Sequence, residues 1–217
     1  TAFGLFPLFL LHTFKNYRSM KKIKRLVAAI AVLPGIALCQ DEKKYVQAPT
    51  LGVHFLLNDY KTAAHIRATS LAATLEDGKF GKLKEMAPGL AVNYVDGLSP
   101  YFDFTAMLAG SFLDETTITE SQPGGDGLFL EADVNIRGKL FSNKYWVSPF
   151  FQVGVGVSKA QVYWGAYMPL GVGIQLNLFD EAFLQINSQY RVPVTESTSS
   201  FHFFHSIGLA GVIGKKR

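Results

Sequence analysis

Residues 128–140 read Leu-Phe-Leu-Glu-Ala-Asp-Val-Asn-Ile-Arg-Gly-Lys-Leu, and the stretch holds two interleaved patterns. Leu128, Leu130, Ala132, Val134, Ile136, Gly138 and Leu140 carry no polar side chain. Phe129, Glu131, Asp133, Asn135, Arg137 and Lys139 carry two acids and two bases. A period of two is an extended strand whose side chains alternate between faces. Which face is outside depends on the rest of the chain.

Seven further segments alternate in the same way: 50–57, 89–95, 101–113, 147–158, 166–178, 183–193 and 201–214. With the first they predict eight antiparallel strands. Their connections run long, short, long, short, long, short, intermediate, with tight turns such as Asp96-Gly97-Leu98-Ser99-Pro100 on one side and larger loops on the other. That is the rhythm of an up-and-down barrel threaded through a membrane. Strands of about 9 to 13 residues suit a tilted crossing of the hydrocarbon layer. An even strand number and closure remove edges that lipid does not tolerate. The fold class read from the sequence is therefore all-β, an eight-stranded antiparallel up-and-down transmembrane β-barrel over residues 50–214.

The leader supports export. The chain has 217 residues and a formal charge of +4, but residues 1–39 hold six bases and no acid, leaving 15 bases against 17 acids in 40–217. The basic balance belongs to the leader and offers nothing to nucleic acid. From Met20 the chain reads MKKIKRLVAAIAVLPGIALCQ, a basic start, an apolar run from Leu26 to Leu38, and small residues Ala37 and Cys39 before Gln40. Residues 20–39 read as a signal peptide cleaved before Gln40, and the run is short for a transmembrane helix. Ile36-Ala37-Leu38-Cys39 also resembles a lipobox, with Leu38 where that motif wants a small residue. Residues 1–19 are read as translated sequence upstream of the true start; the alternative, an additional membrane segment, is weakened by Pro7. Residues 40–49 are a polar periplasmic lead-in, and 215–217 a periplasmic tail, read as truncated. Cleavage leaves no cysteine in the mature chain, and with it no disulfide or thiol chemistry.

With the apolar sets facing lipid, the interior receives Asp103, Glu131, Asp133, Arg137, Lys139, Gln175, Gln189 and Arg191. An eight-stranded barrel is just wide enough for side chains to fill, so these residues are expected to form a hydrogen-bonded, ion-paired plug. Pairing the third and fourth strands lets Asp103 fall opposite Arg137, and that contact is expected. Gly154, Gly156, Gly171 and Gly173 are expected to leave room for the long charged side chains. Ser188 and His205 are exceptions on the lipid-facing set. The outward aromatics Tyr94, Phe102, Phe112, Tyr190, Phe201 and Phe203 read as interfacial girdles.

The segments LGVHFLLNDYKTA, EMAPGLAVNYVDGLSPYFDFTAMLAGSF and GLAGVIGKK, with the signal peptide and polar lumen, resemble the OmpA-like small outer-membrane barrels, over about residues 50–217. The resemblance implies a Gram-negative outer-membrane protein with a structural or surface-binding role and no catalytic motif. The partners expected are outer-membrane lipid, lipopolysaccharide and the barrel-assembly machinery. Members of that family often continue into a peptidoglycan-binding domain, so peptidoglycan enters only through sequence beyond Lys215-Lys216-Arg217. The last strand ends Val212-Ile213-Gly214 rather than on the terminal aromatic usual in such barrels, a hint of missing downstream sequence.

Two alternatives remain. A lipid-modifying enzyme, lipid A deacylase-like, would draw on Phe201–Ser206, FHFFHS. There His205 and Ser206 point to opposite faces, and His202 and Ser206 share a face four residues apart, too distant for a nucleophile and its base without a bend. A soluble lipocalin-like carrier would hide the apolar set inside, but eight apolar faces overfill a small cavity. His54, His65, His202 and His205 show no metal-ligand spacing, and no phosphate loop precedes a helix. The chain is therefore read as a non-enzyme without metal or cofactor. Its 31-residue connection Asn58–Pro88, with a helix-like AAHIRATSLAATL and a basic KFGKLKEM, is a candidate for binding anionic lipid sugars.

Overall fold

Alternation in the sequence becomes alternation in exposure. The computed structural model describes residues 45–114, 127–195 and 198–214. The expectations for the upstream stretch, the signal peptide, Cys39, the polar loop over 115–126 and the tail fall outside the described residues. The elements are β1 (Thr50–Asp59), α1 (Tyr60–Ala68), α2 (Leu71–Glu76), a 3-10 turn (Leu83–Glu85), β2 (Ala87–Gly97), β3 (Phe102–Leu113), β4 (Gly127–Lys139), β5 (Val147–Ala160), β6 (Tyr163–Leu178), β7 (Ala182–Pro193) and β8 (His202–Val212). The eight strands form one closed antiparallel barrel in sequence order, with β1 pairing β8 from Thr50↔Val212 to Asp59↔Phe203.

On β4, Leu128, Leu130, Val134 and Ile136 face outward and are exposed, whereas Glu131, Asp133, Asn135, Arg137 and Lys139 face inward and are buried. The same division holds round the barrel: Val53, Leu90, Leu108, Val155, Val172, Ile186 and Leu209 are exposed, while His54, Asn93, Asp103, Gln152, Gln175 and Gln185 are buried. An apolar outside around a charged inside is stable only where the outside meets lipid. It also removes the carrier alternative, which needs the reverse. Ser188 and His205 do not mark a slip: both stand outward in an unbroken ladder.

The structure departs from the sequence reading in two connections and at the end of the last strand. In Asn58–Pro88, β1 runs on to Asp59 and β2 starts at Ala87, and the helix-like run forms two short helices rather than one. Asp59 Oδ1 accepts the Thr62 N–H at 2.9 Å and Ser70 Oγ the Ala73 N–H at 3.1 Å, so each helix starts on an N-cap. The third long connection, at Lys159 to Trp164, is a two-residue hairpin, Gln161-Val162, closed by Ala160↔Tyr163. Gln161 takes a positive φ of 53°, which lets so tight a turn follow the strand twist. The last strand ends at Val212 rather than Gly214, although Ile213 and Gly214 still donate to the Pro49 carbonyl.

Gly156 and Gly173 make room for rings, and Gly154 and Gly171 for the amide side chains of Asn135, Gln189 and Gln152, rather than for charged chains. A Cβ at Gly156 would sit 2.5 Å from Tyr167 Cζ, and one at Gly173 would fall within the Phe150 ring. The arginines then lie on those rings: Arg137 over Phe150 at 4.1 Å and Arg191 over Tyr167 at 4.9 Å. Gly208 plays the same part for His54, whose ring occupies the place a Cβ would take. Gly208→Ala is expected to cost about 1–3 kcal/mol by overpacking, and adding His54→Ala should recover much of it. Urea midpoints of the refolded single and double variants measure the coupling.

Candidate functional site

The lumen holds two charged clusters, with a chain of amides running from the one nearer the short turns. In the cluster toward the long loops, β4 supplies Glu131 and Asp133, β7 Arg191 and β8 His202. Arg191 Nη1 lies 2.5 Å from Glu131 Oε1, and Arg191 Nη2 donates to Asp133 Oδ2 at 2.9 Å. Arg191 Nε donates to Gln189 Oε1 at 3.2 Å, and the guanidinium lies 3.7 Å from the Phe204 ring centroid. Tyr167 OH donates to Asp133 Oδ2 at 3.2 Å, Asn135 Nδ2 to Asp133 Oδ1 at 2.6 Å and Asn58 Nδ2 to Glu131 Oε2 at 3.3 Å. His202 Nε2 lies 3.1 Å from Glu131 Oε1, and its ring stacks on Tyr60 at 4.5 Å, so the first residue of α1 roofs the cluster.

Toward the short turns, Lys139 Nζ pairs with Asp103 Oδ1 at 2.9 Å and donates to Asn143 Oδ1 at 3.1 Å. Asp103 and Arg137 stand opposite each other in the β3–β4 ladder, but the ion pair goes to Lys139. Arg137 instead reaches Gln175 Oε1 at 3.3 Å, drawn across the lumen by the Phe150 ring beneath it. Gln175 is the junction: it accepts from Gln185 Nε2 at 3.1 Å and donates to Gln47 Oε1 at 3.0 Å, while Asn93 donates to Gln185 at 3.1 Å.

All eight residues read from the sequence are buried in the lumen, but they do not form one network: Glu131, Asp133, Gln189 and Arg191 share one end, Asp103, Arg137, Lys139 and Gln175 the other. Other contributors lie outside the eight residues. Tyr167 was reachable, since extending the β6 alternation two residues before Pro169 puts it inward. Gln185 shares the inward face of β7 with Gln189. Gln47 and Asn143 had no signal, because neither is in a strand. Gln47 lies in what reads as lead-in, yet it is only 2% exposed and accepts from Gln175 inside the short-turn end of the barrel. His202 and Ser206, the same-face pair considered for catalysis, are both inward and buried, and His202 is committed to Glu131 and the Ser200 carbonyl.

Fold and site together define a membrane-spanning β-barrel with a polar, charged lumen. Among solved structures the chain is similar to the outer membrane protein OprG from Pseudomonas aeruginosa (TM-score 0.46, 9% identity, 81% of this chain and 100% of that one). It is also similar to Ail, the attachment invasion locus protein of Yersinia pestis (TM-score 0.46, 13% identity, 76% and 97%), and to Neisserial surface protein A (TM-score 0.46, 9% identity, 76% and 96%). At such identities no residue role carries over. No family model and no curated protein sequence matches the chain.

Proposed function

We propose that this chain is an integral outer-membrane barrel of structural and surface-binding function, with a lumen closed by its own side chains. The observation that carries the reading is the filled interior: charged and amide side chains succeed one another from Tyr60 at one mouth to Gln47 at the other. With the interior committed to itself, binding falls to the loop face. There residues 60–86 hold five bases (Lys61, Arg67, Lys79, Lys82, Lys84) against three acids. Leu71, Leu75, Phe80 and Leu83 are exposed in the same segment. Exposed apolar side chains beside lysines suit the boundary between acyl chains and anionic headgroups, and the partner supported best is the anionic lipopolysaccharide of the outer leaflet.

The test is twofold. Refolded protein in planar bilayers is expected to show no sustained open channel; steady conductance would overturn the closed lumen. Changing Lys79, Lys82 and Lys84 together to Glu is expected to weaken lipopolysaccharide binding at least about tenfold at low salt, with the difference shrinking at high ionic strength. Binding unchanged by the triple variant would remove this surface from the proposal.

A further inference from the structure

Ser188 and His205 interrupt the apolar outer face. They stand opposite each other on β7 and β8, with Ser188 Oγ 2.9 Å from His205 Nδ1, and both are half-buried. On one side of them the outward pairs are Ile186↔Ile207 and Leu184↔Leu209; on the other is Tyr190↔Phe203. An ionisable side chain on a lipid-facing surface is costly, and with a named partner it marks a functional site.

A third group comes from β1. Asp59 pairs with Phe203, one outward step beyond Leu57, which pairs with His205. Asp59 Oδ1 caps α1, but Oδ2 is buried without a hydrogen-bond partner among the described residues. A buried carboxylate oxygen left over in this way needs an explanation. Serine, histidine and aspartate thus share one outward face on three adjacent strands.

Their depth suggests what they meet. The aromatics Tyr190, Phe203 and Phe201 lie one step toward the long loops, at the level where amphipathic rings sit among headgroups. Arg67 lies over Phe201 at 3.6 Å and Phe80 packs edge-on against Phe203 at 6.3 Å, so the first loop forms a cationic shelf above the serine. A lipid entering from the side would place its phosphate by Arg67, its acyl chains along Ile186 and Ile207, and its ester near Ser188.

We propose that Ser188 is the nucleophile of a lipid acyl-ester hydrolase site, with His205 as its base and Asp59 as a positioning residue. This goes beyond the binding role but rests on the same membrane-spanning reading. As Ser188 Oγ attacks the ester carbonyl carbon, its proton passes to His205 Nδ1. The carbon–oxygen bond to the lipid alcohol breaks, and that alcohol leaves with the proton from the imidazolium. Water then gives a proton to His205 while its oxygen attacks the acyl-serine, and the fatty acid departs as Ser188 recovers its proton. The balance is ester plus water to acid plus alcohol.

The experiment uses the refolded full chain in vesicles of phosphatidylethanolamine and phosphatidylglycerol, with insertion checked by its migration before and after heating. A fluorophosphonate probe is expected to label Ser188, to fail on Ser188→Ala, and to label His205→Gln at least about 100-fold more slowly. Free fatty acid is measured from those vesicles and, separately, from purified lipopolysaccharide; release in one arm names the source of the ester. Asp59→Asn, which keeps an oxygen to cap α1, is expected to lower kcat at least about tenfold with KM unchanged. An inserted barrel that neither labels at Ser188 nor releases fatty acid in either arm overturns the proposal, as does labelling without release. A chain that does not insert overturns the membrane reading along with it, so the two failures are told apart.

Discussion

Arg191→Ala is expected to destabilise the refolded barrel by about 3–5 kcal/mol, the cost of leaving buried charge without its counter-charge. Among the described residues, Arg191 is the only base placed on Glu131 and Asp133 apart from His202, and its side chain is fully buried between them and the Phe204 ring. Removing it leaves two carboxylates on one strand, two residues apart, in a space that bulk water does not fill. Much of the loss is therefore stranded charge rather than a missing attraction. A triple change, Arg191→Met with Glu131→Gln and Asp133→Asn, should recover most of the stability, since a buried ion cluster replaced as a unit by uncharged groups costs little. Urea midpoints of the three proteins in the same detergent measure both effects. A single variant as stable as the wild type would show that the cluster is open to water and that the lumen is not closed.

The second large effect is on the opposite face. Val134 points outward near the middle of β4 and is 43% exposed. Val134→Arg is expected to cost about 2–4 kcal/mol when the barrel folds into a bilayer, because the guanidinium then sits near the hydrocarbon midplane. The same substitution on a barrel standing in water would change stability by roughly 0.5 kcal/mol or less, as surface substitutions do. Folding titrations into phospholipid vesicles separate these outcomes, and Leu128→Arg at the strand end provides the control: nearer the boundary its penalty should fall to about 0–1 kcal/mol. Equal, negligible effects at both positions would contradict a lipid-facing exterior.

Much of this architecture was legible because alternation allows few readings. In β4 the acids and bases fall at odd positions and the aliphatic residues at even ones, so one assignment sorts every side chain, and a slip of one residue would turn Arg137 and Lys139 into lipid. The same logic carried through eight strands, and the Asp103↔Arg137 register followed from the strand ends. The helical character of the first loop was legible in AAHIRATSLAATL, but its division into two helices was not. Their caps, Asp59 and Ser70, are ordinary residues in sequence, and α2 spans only six residues.

The choice of partner inside and outside the barrel was settled elsewhere. Asp103 could meet Arg137 or Lys139 on the neighbouring strand; it meets Lys139 because Phe150 and Gln175, from β5 and β6, hold Arg137 away. Arg191 reaches Asp133 across 58 residues, a pairing that depends on barrel diameter and strand stagger. Ser188 meets His205 only because β7 and β8 are registered to place them side by side, while β8 alone presents no such pair. The sequence by itself determined which face each side chain takes, since that depends on a period local to each strand. Which side chains touch was decided by closure of the barrel, which sets the height of every strand against its neighbours and against those across the lumen.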